Sequence, residues 1–233
     1  MGSTRLPGKS TMDLAGETLV GRILERVKRC KNLDEIILAI PKKETDKILK
    51  DIGKNFEINV FEGSENDLVE RFYQAASLHK ADLVCRLPAD NPTPEPREID
   101  RIIEYHINLK RRGFSSNLAC INNSGYPDGI GAEIFDYSLL EEIYYRNTNP
   151  FHREHVHLNF FNYETGKAVD EKWCPVSTVK CPKEFRRPEI VLDVNTIEQY
   201  YFMKDLYEYL YPRNPNFHIT DIISWFDNIY CNT

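Results

Sequence analysis

The stretch Glu35-Ile-Ile-Leu-Ala-Ile-Pro41 decides the fold class, because it is a short, continuous apolar run that ends at a proline. Such a run is typical of a strand buried on both faces, as in a parallel sheet. Residues 82–87 form a second apolar run and residues 58–61 a third. Helical spacing of apolar residues precedes, separates and follows these strands, over residues 18–30, 43–52, 66–80 and 96–111. This alternation predicts an α/β protein with a mostly parallel central sheet flanked by helices.

The rhythm changes after Phe114, where a loop rich in Asn, Ser and Gly is expected to run to Gly131. Beyond it, the patterns predict strands over residues 132–135, 173–180 and 190–192, and helices over residues 138–146, 152–162, 196–210 and 219–229. In the first half, Gly53 is expected to close the helix over residues 43–52. No repeat or linker interrupts the chain, so residues 1–233 are expected to form one domain.

Composition and charge exclude several classes of protein. The 233 residues are 41% hydrophobic and 28% charged, which predicts a packed core rather than a disordered or collagen-like chain. The formal net charge of -6 disfavours nucleic-acid binding. The six cysteines contain no C-x-x-C pair, which argues against structural zinc and indicates reduced thiols in a cytoplasm. No apolar run reaches the roughly 20 residues of a membrane span, and no signal peptide is expected.

The segment Met1-Gly-Ser-Thr-Arg-Leu-Pro-Gly-Lys9, which we call the first loop, combines two glycines, two hydroxyl side chains and two cations. Glycine lets backbone N–H groups approach an anion closely, and Arg5 and Lys9 add positive charge. This composition suits the triphosphate of a nucleotide. No strand precedes the loop, so it is not a Walker A motif. The alternative from the residues alone is an ordinary basic surface loop.

With the first loop in place, the chain resembles the SpsF-type cytidylyltransferases, which are relatives of the CMP-KDO and CMP-sialate synthetases. Further motifs of that family follow in the right order and cover nearly the whole chain. They are Asp13-Leu-Ala-Gly16, Glu62-Gly-Ser-Glu-Asn-Asp67 with Arg71, Arg86-Leu-Pro-Ala-Asp-Asn-Pro92, Tyr126-Pro-Asp-Gly129, Glu133-Ile-Phe135, Arg153-Glu-His-Val156, and Leu192-Asp-Val-Asn-Thr196 with Glu198.

The resemblance implies a Rossmann-like, GT-A nucleotidyltransferase fold. The implied reaction uses CTP and Mg²⁺, releases pyrophosphate and transfers CMP to a sugar-acid or phosphorylated small-molecule acceptor for a surface polysaccharide. Residues 1–113 would form the nucleotide-binding half, and residues 114–233 the acceptor-binding half of a homodimer. The resemblance implies catalytic roles for Lys9, Arg5 and Asp90. It implies that the nucleotide is bound by Gly2, Ser3, Thr4, Arg5, Lys9, Ser64, Arg71 and Asp90.

A metal site is expected beside Asp90, which follows a buried strand and therefore lies at the carboxyl edge of the sheet. A carboxylate there can hold Mg²⁺ against triphosphate oxygens, whereas the alternative role is a cap of the turn before Pro92. The second ligand is open between Asp193 and Asn195. Alignment on the family motif selects Asn195, but Asp193 lies two residues earlier on the same face of an extended strand and carries the charge.

The implied acceptor side contains Arg153, Glu154 and His155, together with Asp128 and Glu133. The first three would bind an acidic or phosphorylated acceptor, and His155 could deprotonate its hydroxyl group. The alternative is a structural Arg–Glu pair with a packed histidine. A zinc site of three nearby histidines is disfavoured, because helical spacing separates their side chains.

The family places a buried strand and a Gln-Ala-Arg tripeptide before the first loop, and Met1 stands where a methionine follows that arginine. We therefore expect the central first strand and one triphosphate-binding arginine to be missing from this sequence. Two other functions remain open: a degenerate nucleotide- or sugar-binding module, and a GT-A glycosyltransferase. The latter class usually has a D-x-D motif, whereas Asp90 is followed by Asn91 and Pro92.

Overall fold

A computed structural model of the chain describes residues 5–232. Its helices alternate with strands through the first half, as expected, and cluster in the second half. The helices are α1 (Leu19–Val27), α2 (Lys47–Asn55), α3 (Leu68–Leu78), α4 (Pro96–Asn108), α5 (Tyr137–Arg146), α6 (Pro150–Glu154), α7 (Ile197–Leu210) and α8 (Ile219–Asn228). The strands are β1 (Asp13–Leu14), β2 (Glu17–Thr18), β3 (Ile37–Pro41), β4 (Asn59–Gly63), β5 (Leu83–Arg86), β6 (Phe114–Ser116), β7 (Glu133–Asp136), β8 (Phe161–Asn162), β9 (Lys167–Ala168) and β10 (Val176–Ser177).

The strands form two separate main sheets. Strands β3 and β4 make a parallel pair, and a four-stranded sheet has the order β10-β6-β7-β5. Strand β10 is parallel to β6, but β7 is antiparallel to both β6 and β5. The predicted mostly parallel sheet is therefore not confirmed: in the described part of the chain, two of the three ladders of the larger sheet are antiparallel.

Two helices connect these sheets. Helix α1 packs Val20 and Leu24 into one apolar cluster with Ile40 of β3, while its Ile23 belongs to a second cluster that Cys85 of β5 contacts. Helix α3 contacts β3 and β4 and shares a third cluster with β5. Successive residues of β5 point to opposite faces, so α1 and α3 lie on opposite sides of the strand. Within residues 5–232, no ladder joins β3 to β5 directly.

Gly53 does not close the second helix, and that prediction is wrong. The helix continues to Asn55, and Glu57 takes the left-handed conformation that follows it, with φ 55°. A Cβ atom on Gly53 would lie 2.4 Å from Cγ2 of Val60. The glycine is therefore needed for the close approach of α2 to β4 rather than for a turn.

Part of the predicted loop over residues 114–131 is the buried strand β6. Its serines are hidden from water because their hydroxyl groups find internal partners. Ser116 Oγ donates to the carbonyl oxygen of Ala132 at 2.7 Å, and Ser115 Oγ lies 2.9 Å from Nδ1 of His106. The polar composition that indicated a loop is thus satisfied within the core.

The predicted helix over residues 152–162 is also wrong. Asn149 caps a short helix that begins at Pro150 and ends at Glu154, because His155 leaves the helical region with φ -114° and ψ 79°. A 3-10 turn and strand β8 follow. The predicted strand over residues 190–192 is reduced to a single bridge between Val191 and Asp128, and that over residues 173–180 to β10. No helix within residues 5–232 combines the length and apolarity of a bilayer span.

Candidate active site

Three segments that are distant in sequence meet around the ammonium group of Lys9. Its Nζ donates to Asp90 Oδ2 at 2.9 Å and to the carbonyl oxygen of Val194 at 2.8 Å, and it lies 3.5 Å from Asn195 Oδ1. Arg5 Nη2 donates to the same oxygen of Asn195 at 3.0 Å. Arg5 and Lys9 of the first loop, the turn after β5 and the segment before α7 therefore meet at one place, and the catalytic and nucleotide-binding roles expected for these residues stay a prediction.

Local backbone geometry holds these groups together. Gly8 adopts φ 74°, which starts the 3-10 turn that carries Lys9, and Thr11 Oγ1 donates to the carbonyl oxygen of Gly8. A left-handed residue at this position favours glycine. On the opposite side, the backbone N–H of Val194 donates to the carbonyl oxygen of Asp90 at 2.8 Å. This bond fixes the aspartate turn against the segment that contains Asn195.

Three carboxyl groups, those of Asp90, Asp128 and Asp193, are close enough for their charges to repel one another. Burial raises the pKa of Asp193, and the charges of Asp128 and Asp90 add to the shift. Burial also raises the pKa of Asp128, with Asp90 again contributing. Lys9 is the cation in contact with Asp90, so the site holds more negative than positive side-chain charge. Such a site favours the binding of a further cation.

Asp193 and Asn195, the two alternative metal ligands, belong to one hydrogen-bond network. Asn195 Nδ2 donates to Asp193 Oδ2, while Asn195 Oδ1 faces the two cations of the first loop. Gln199 orients both residues, because its Nε2 donates to Asp193 Oδ1 at 3.1 Å and its Oε1 accepts from the N–H of Asn195 at 2.8 Å. Sequence reasoning missed Gln199, although the Thr196-x-x-Gln199 capping box was a visible signal.

The donor set fits a hard divalent cation. Asp90 and Asp193 offer carboxylate oxygens, and Val194 and Asn195 offer neutral oxygens, which are the ligand types that Mg²⁺ prefers. Residues 5–232 contain no ready-made cluster of three or more acidic, histidine or cysteine ligands. Mg²⁺ characteristically keeps water and substrate-phosphate ligands, so a two-carboxylate site is compatible with it.

Of the other predicted nucleotide residues, Ser64 directly follows β4 and Arg71 lies in α3. The guanidinium group of Arg71 donates to the carbonyl oxygen of Ser64 at 2.8 Å, and its aliphatic stem lies against Gly63. Burial lowers the pKa of Arg71, and its Nε is buried without a hydrogen-bond partner in the described chain. Arg71 therefore contacts Ser64, and its Nε is a donor without an acceptor among the described residues. The predicted nucleotide ligands Gly2, Ser3 and Thr4 lie outside the described residues.

Two predicted acceptor residues have mainly internal contacts. Glu133 is fully buried, and Nη1 of Arg86 lies 2.7 Å from each of its carboxylate oxygens. Arg153 donates to Asp67 Oδ2 at 2.6 Å and to the carbonyl oxygens of Tyr144 and Asn147. The partner of Arg153 is thus Asp67 and not Glu154. Arg153 is therefore in a structural ion pair, although not in the Arg–Glu pair that was the alternative for it. The contact of Arg153 and Glu133 with an acceptor stays a prediction.

The remaining acceptor candidates are more accessible. Glu154 is exposed, and Asp128 and His155 are partly buried. The His155 ring packs edge-on against Phe151, with 4.8 Å between centroids. Neighbouring His157 is different: burial, with Arg86 and His155 adding, lowers its pKa to about 3, so it stays neutral. The sequence analysis named Arg86 only as part of a motif. In the structure it lies opposite Glu133 in the β5–β7 ladder, forms an ion pair with it and lowers the pKa of His157.

Comparisons with known proteins show the family of this chain. The sequence model described as "Cytidylyltransferase" matches residues 1–210. The chain therefore belongs to the cytidylyltransferase family and is a CTP-dependent nucleotidyltransferase with an α/β fold. Its resemblance to the SpsF type is confirmed as well. It is 31% identical to the spore coat polysaccharide biosynthesis protein SpsF of Bacillus subtilis, over 89% of this chain and 83% of that protein.

Solved structures give the same result for the fold. A cytidylyltransferase from Leptospira borgpetersenii superposes with a TM-score of 0.86 at 27% identity, covering 99% of this chain and 92% of that one. A structure of CMP:2-keto-3-deoxy-manno-octonic acid synthetase with CTP has a TM-score of 0.62 at 12% identity, covering 88% and 93%. The finer GT-A assignment stays a prediction.

Proposed function

We propose that this enzyme transfers CMP from CTP to a sugar acid or a phosphorylated small molecule, and releases pyrophosphate, in surface polysaccharide biosynthesis. The observation that carries the proposal is the convergence of Lys9, Arg5, Asp90 and Asn195 at one edge of the fold. The relatives named for CMP transfer and for polysaccharide biosynthesis support the same reaction class. The six free cysteines support a reducing compartment such as the cytoplasm.

The acceptor oxygen would attack the α-phosphorus of CTP while the bond from that phosphorus to pyrophosphate breaks. Lys9 and Arg5 would stabilise the negative charge that develops on the leaving group. Asp90, Asp193 and Asn195 would hold Mg²⁺, which supplies charge neutralisation at the phosphate oxygens. Before substrates bind, the ammonium group of Lys9 contacts the oxygens of Asp90 and Asn195 that are proposed to hold Mg²⁺.

We place the acceptor on the side of Asp128, because this carboxyl group is close enough to Asp90 for their charges to interact. His155 and Glu154 would contact it from the far side. We further propose that residues 1–113 bind the nucleotide, that residues 114–233 bind the acceptor, and that the enzyme is a homodimer. Sedimentation of the purified chain tests the homodimer.

A pyrophosphate-release screen tests the reaction. CTP, ATP, GTP and UTP are each incubated with acidic sugars and phosphorylated small molecules in the presence of Mg²⁺. We expect release with CTP and one acceptor class, and loss of release in Asp90→Asn, because a neutral amide is a poor ligand for a hard cation. The conservative Asp51→Asn variant, at an exposed position of α2, is the control and should turn over like the parent.

A binding module without turnover is the second candidate, and it is favoured by the observation that no ladder joins β3 to β5 within residues 5–232. Such a module would bind CTP in calorimetry without releasing pyrophosphate in any combination. A glycosyltransferase would instead release a nucleoside diphosphate. Either result would refute the proposed reaction.

A further inference from the structure

A cavity of about 360 Å³ lies at the far end of α1 from the first loop. The start of α1 adjoins the first-loop region, where the N–H of Leu19 donates to the carbonyl oxygen of Met12. The helix is nine residues long, or about 13 Å, and the cavity is lined by residues at and beyond its last turn. Its volume is within the range of small-molecule sites. The cavity is therefore separate from the candidate active site.

The cavity carries surplus positive charge in a protein of net charge -6. Two of its cationic neighbours have acidic partners: Arg22 pairs with Glu25 at 2.6 Å, and Arg26 lies 3.5 Å from Glu95. Lys28 and Arg29 line the same cavity, and neither forms an ion pair within residues 5–232. Lys28 instead donates to the carbonyl oxygen of Phe56. Neither positive charge is thus in contact with a carboxylate within residues 5–232, although Glu95 and Glu25 act on Arg29 at longer range.

The guanidinium group of Arg29 is the least satisfied of these cations. Its Nη1 donates to Asn216 Oδ1 at 2.9 Å, but Nε and Nη2 are buried and have no acceptor among the described residues. Burial lowers the pKa of Arg29, and repulsion from Arg26 adds to the shift. Buried donors without acceptors are costly, so rotation of the guanidinium group towards the cavity would be favoured when an anion with several oxygens is there to accept from both nitrogen atoms and to balance the charge.

The rest of the cavity wall is aromatic. Phe56, Tyr211 and Phe217 line it, and cations already cover two of these rings. The guanidinium carbon of Arg22 lies 3.6 Å from the Tyr211 centroid, and that of Arg26 lies 4.6 Å from the Phe217 centroid. Covered rings of this kind offer an apolar contact rather than a second cation site. A ligand that meets both walls combines a dianion with a planar apolar part.

We propose that this cavity binds a phosphate monoester with an aromatic or heteroaromatic ring, independently of the active site. The phosphate group contacts Arg29 and Lys28, and the ring packs against Phe56 and Tyr211, the partly exposed aromatic residues of the lining.

Phenyl phosphate is a suitable probe, titrated calorimetrically into the full chain. Arg29→Gln is expected to weaken binding at least tenfold, and Lys28→Gln about threefold. Lys9→Ala should leave the affinity unchanged, since its side chain belongs to the active site. Lys47→Gln removes an exposed cation on α2 whose ion pair is with Glu44, and serves as a charge-matched control without effect.

Each alternative has a distinct result. Loss of phenyl phosphate binding in Lys9→Ala, but not in Arg29→Gln, would assign the ligand to the active site and overturn the proposal. Inorganic phosphate binding as tightly as phenyl phosphate would overturn the role of the aromatic wall. No binding to the parent chain would overturn the site as a whole. If Arg29→Gln lowers the melting temperature by several degrees, the affinity of Lys28→Gln decides, because Lys28 lies on the exposed rim. Weaker binding by a stable Lys28→Gln variant supports the site, and unchanged binding overturns it.

Discussion

Replacing Lys9 with alanine should have opposite effects on turnover and on metal binding. Lys9 and Asp90 are only 13% and 28% exposed, so their contact is partly buried and stronger than a surface ion pair. A hydrogen bond between charged groups contributes about 1.5–3 kcal/mol. For a domain of this size, its loss corresponds to a melting temperature lower by about 3–12 °C.

Mg²⁺ should then compensate in the variant. The ammonium group of Lys9 donates hydrogen bonds to the oxygens of Asp90, Val194 and Asn195. It therefore competes with a divalent cation for the same ligand atoms. Without nucleotide, Lys9→Ala should bind Mg²⁺ at least as tightly as the parent, and Mg²⁺ should raise its melting temperature more.

Turnover should decrease, because the same ammonium group is needed where charge develops on pyrophosphate. Removing an electrostatic stabiliser of this kind costs on the order of 10²–10³ in rate. Calorimetry with Mg²⁺, thermal unfolding with and without Mg²⁺, and pyrophosphate release measure the three effects on one variant. Turnover within about twofold of the parent, or a melting temperature insensitive to the mutation, would refute the division of roles proposed for Lys9.

Three further predictions concern stability. Arg153→Ala should destabilise the protein by about 2–4 kcal/mol in urea unfolding, because it leaves Asp67 and two carbonyl groups without their donor; an unchanged unfolding midpoint with a raised acceptor KM would return Arg153 to the acceptor site. His157 is neutral in the fold, with a pKa of about 3, and takes up a proton near pH 6.5 when unfolded. Unfolding free energy should therefore fall as the pH is lowered from about 6.5 towards 3, by up to about 1.4 kcal/mol per pH unit, and His157→Phe should flatten this slope; equal slopes would contradict the assignment. Adding an apolar strand that ends in Gln-Ala-Arg before the first loop should raise the melting temperature and turnover, since β3 and β5 lie under the same two helices without a ladder between them; an unchanged melting temperature would show that no strand enters there.

The sequence predicted the helices better than the sheets, because helix signals are local. Thr18 accepts from the N–H of Gly21 at the start of α1, and Thr196 forms a capping box with Gln199 at the start of α7. Both helices lie close to their predicted positions. Strand pairing depends on distant partners, so neither the burial of Ser115 nor the antiparallel direction of β7 was visible in a local pattern.

The same distinction applies to the site. Lys9, Asp90 and Asn195 could be proposed together because each lies in a motif of recognised type. The role of Arg153 could not, because its carboxylate partner Asp67 is 86 positions away in sequence. Only the folded chain decides which acid an arginine meets.

The pair of strands β3 and β4 is also a unit of dynamics. Together with α2 it has a small apolar cluster, to which these three elements contribute Ile40, Leu49 and Ile52. The unit contacts the rest of the molecule through α1 and α3. Segments with few external contacts open locally at a lower free energy than the global unfolding reaction. Amide hydrogen exchange should therefore be fastest, among the central strands, in this pair. The predicted nucleotide residue Ser64 follows β4 directly, so each opening of the pair would displace it. Bound nucleotide is therefore expected to slow amide exchange throughout the unit.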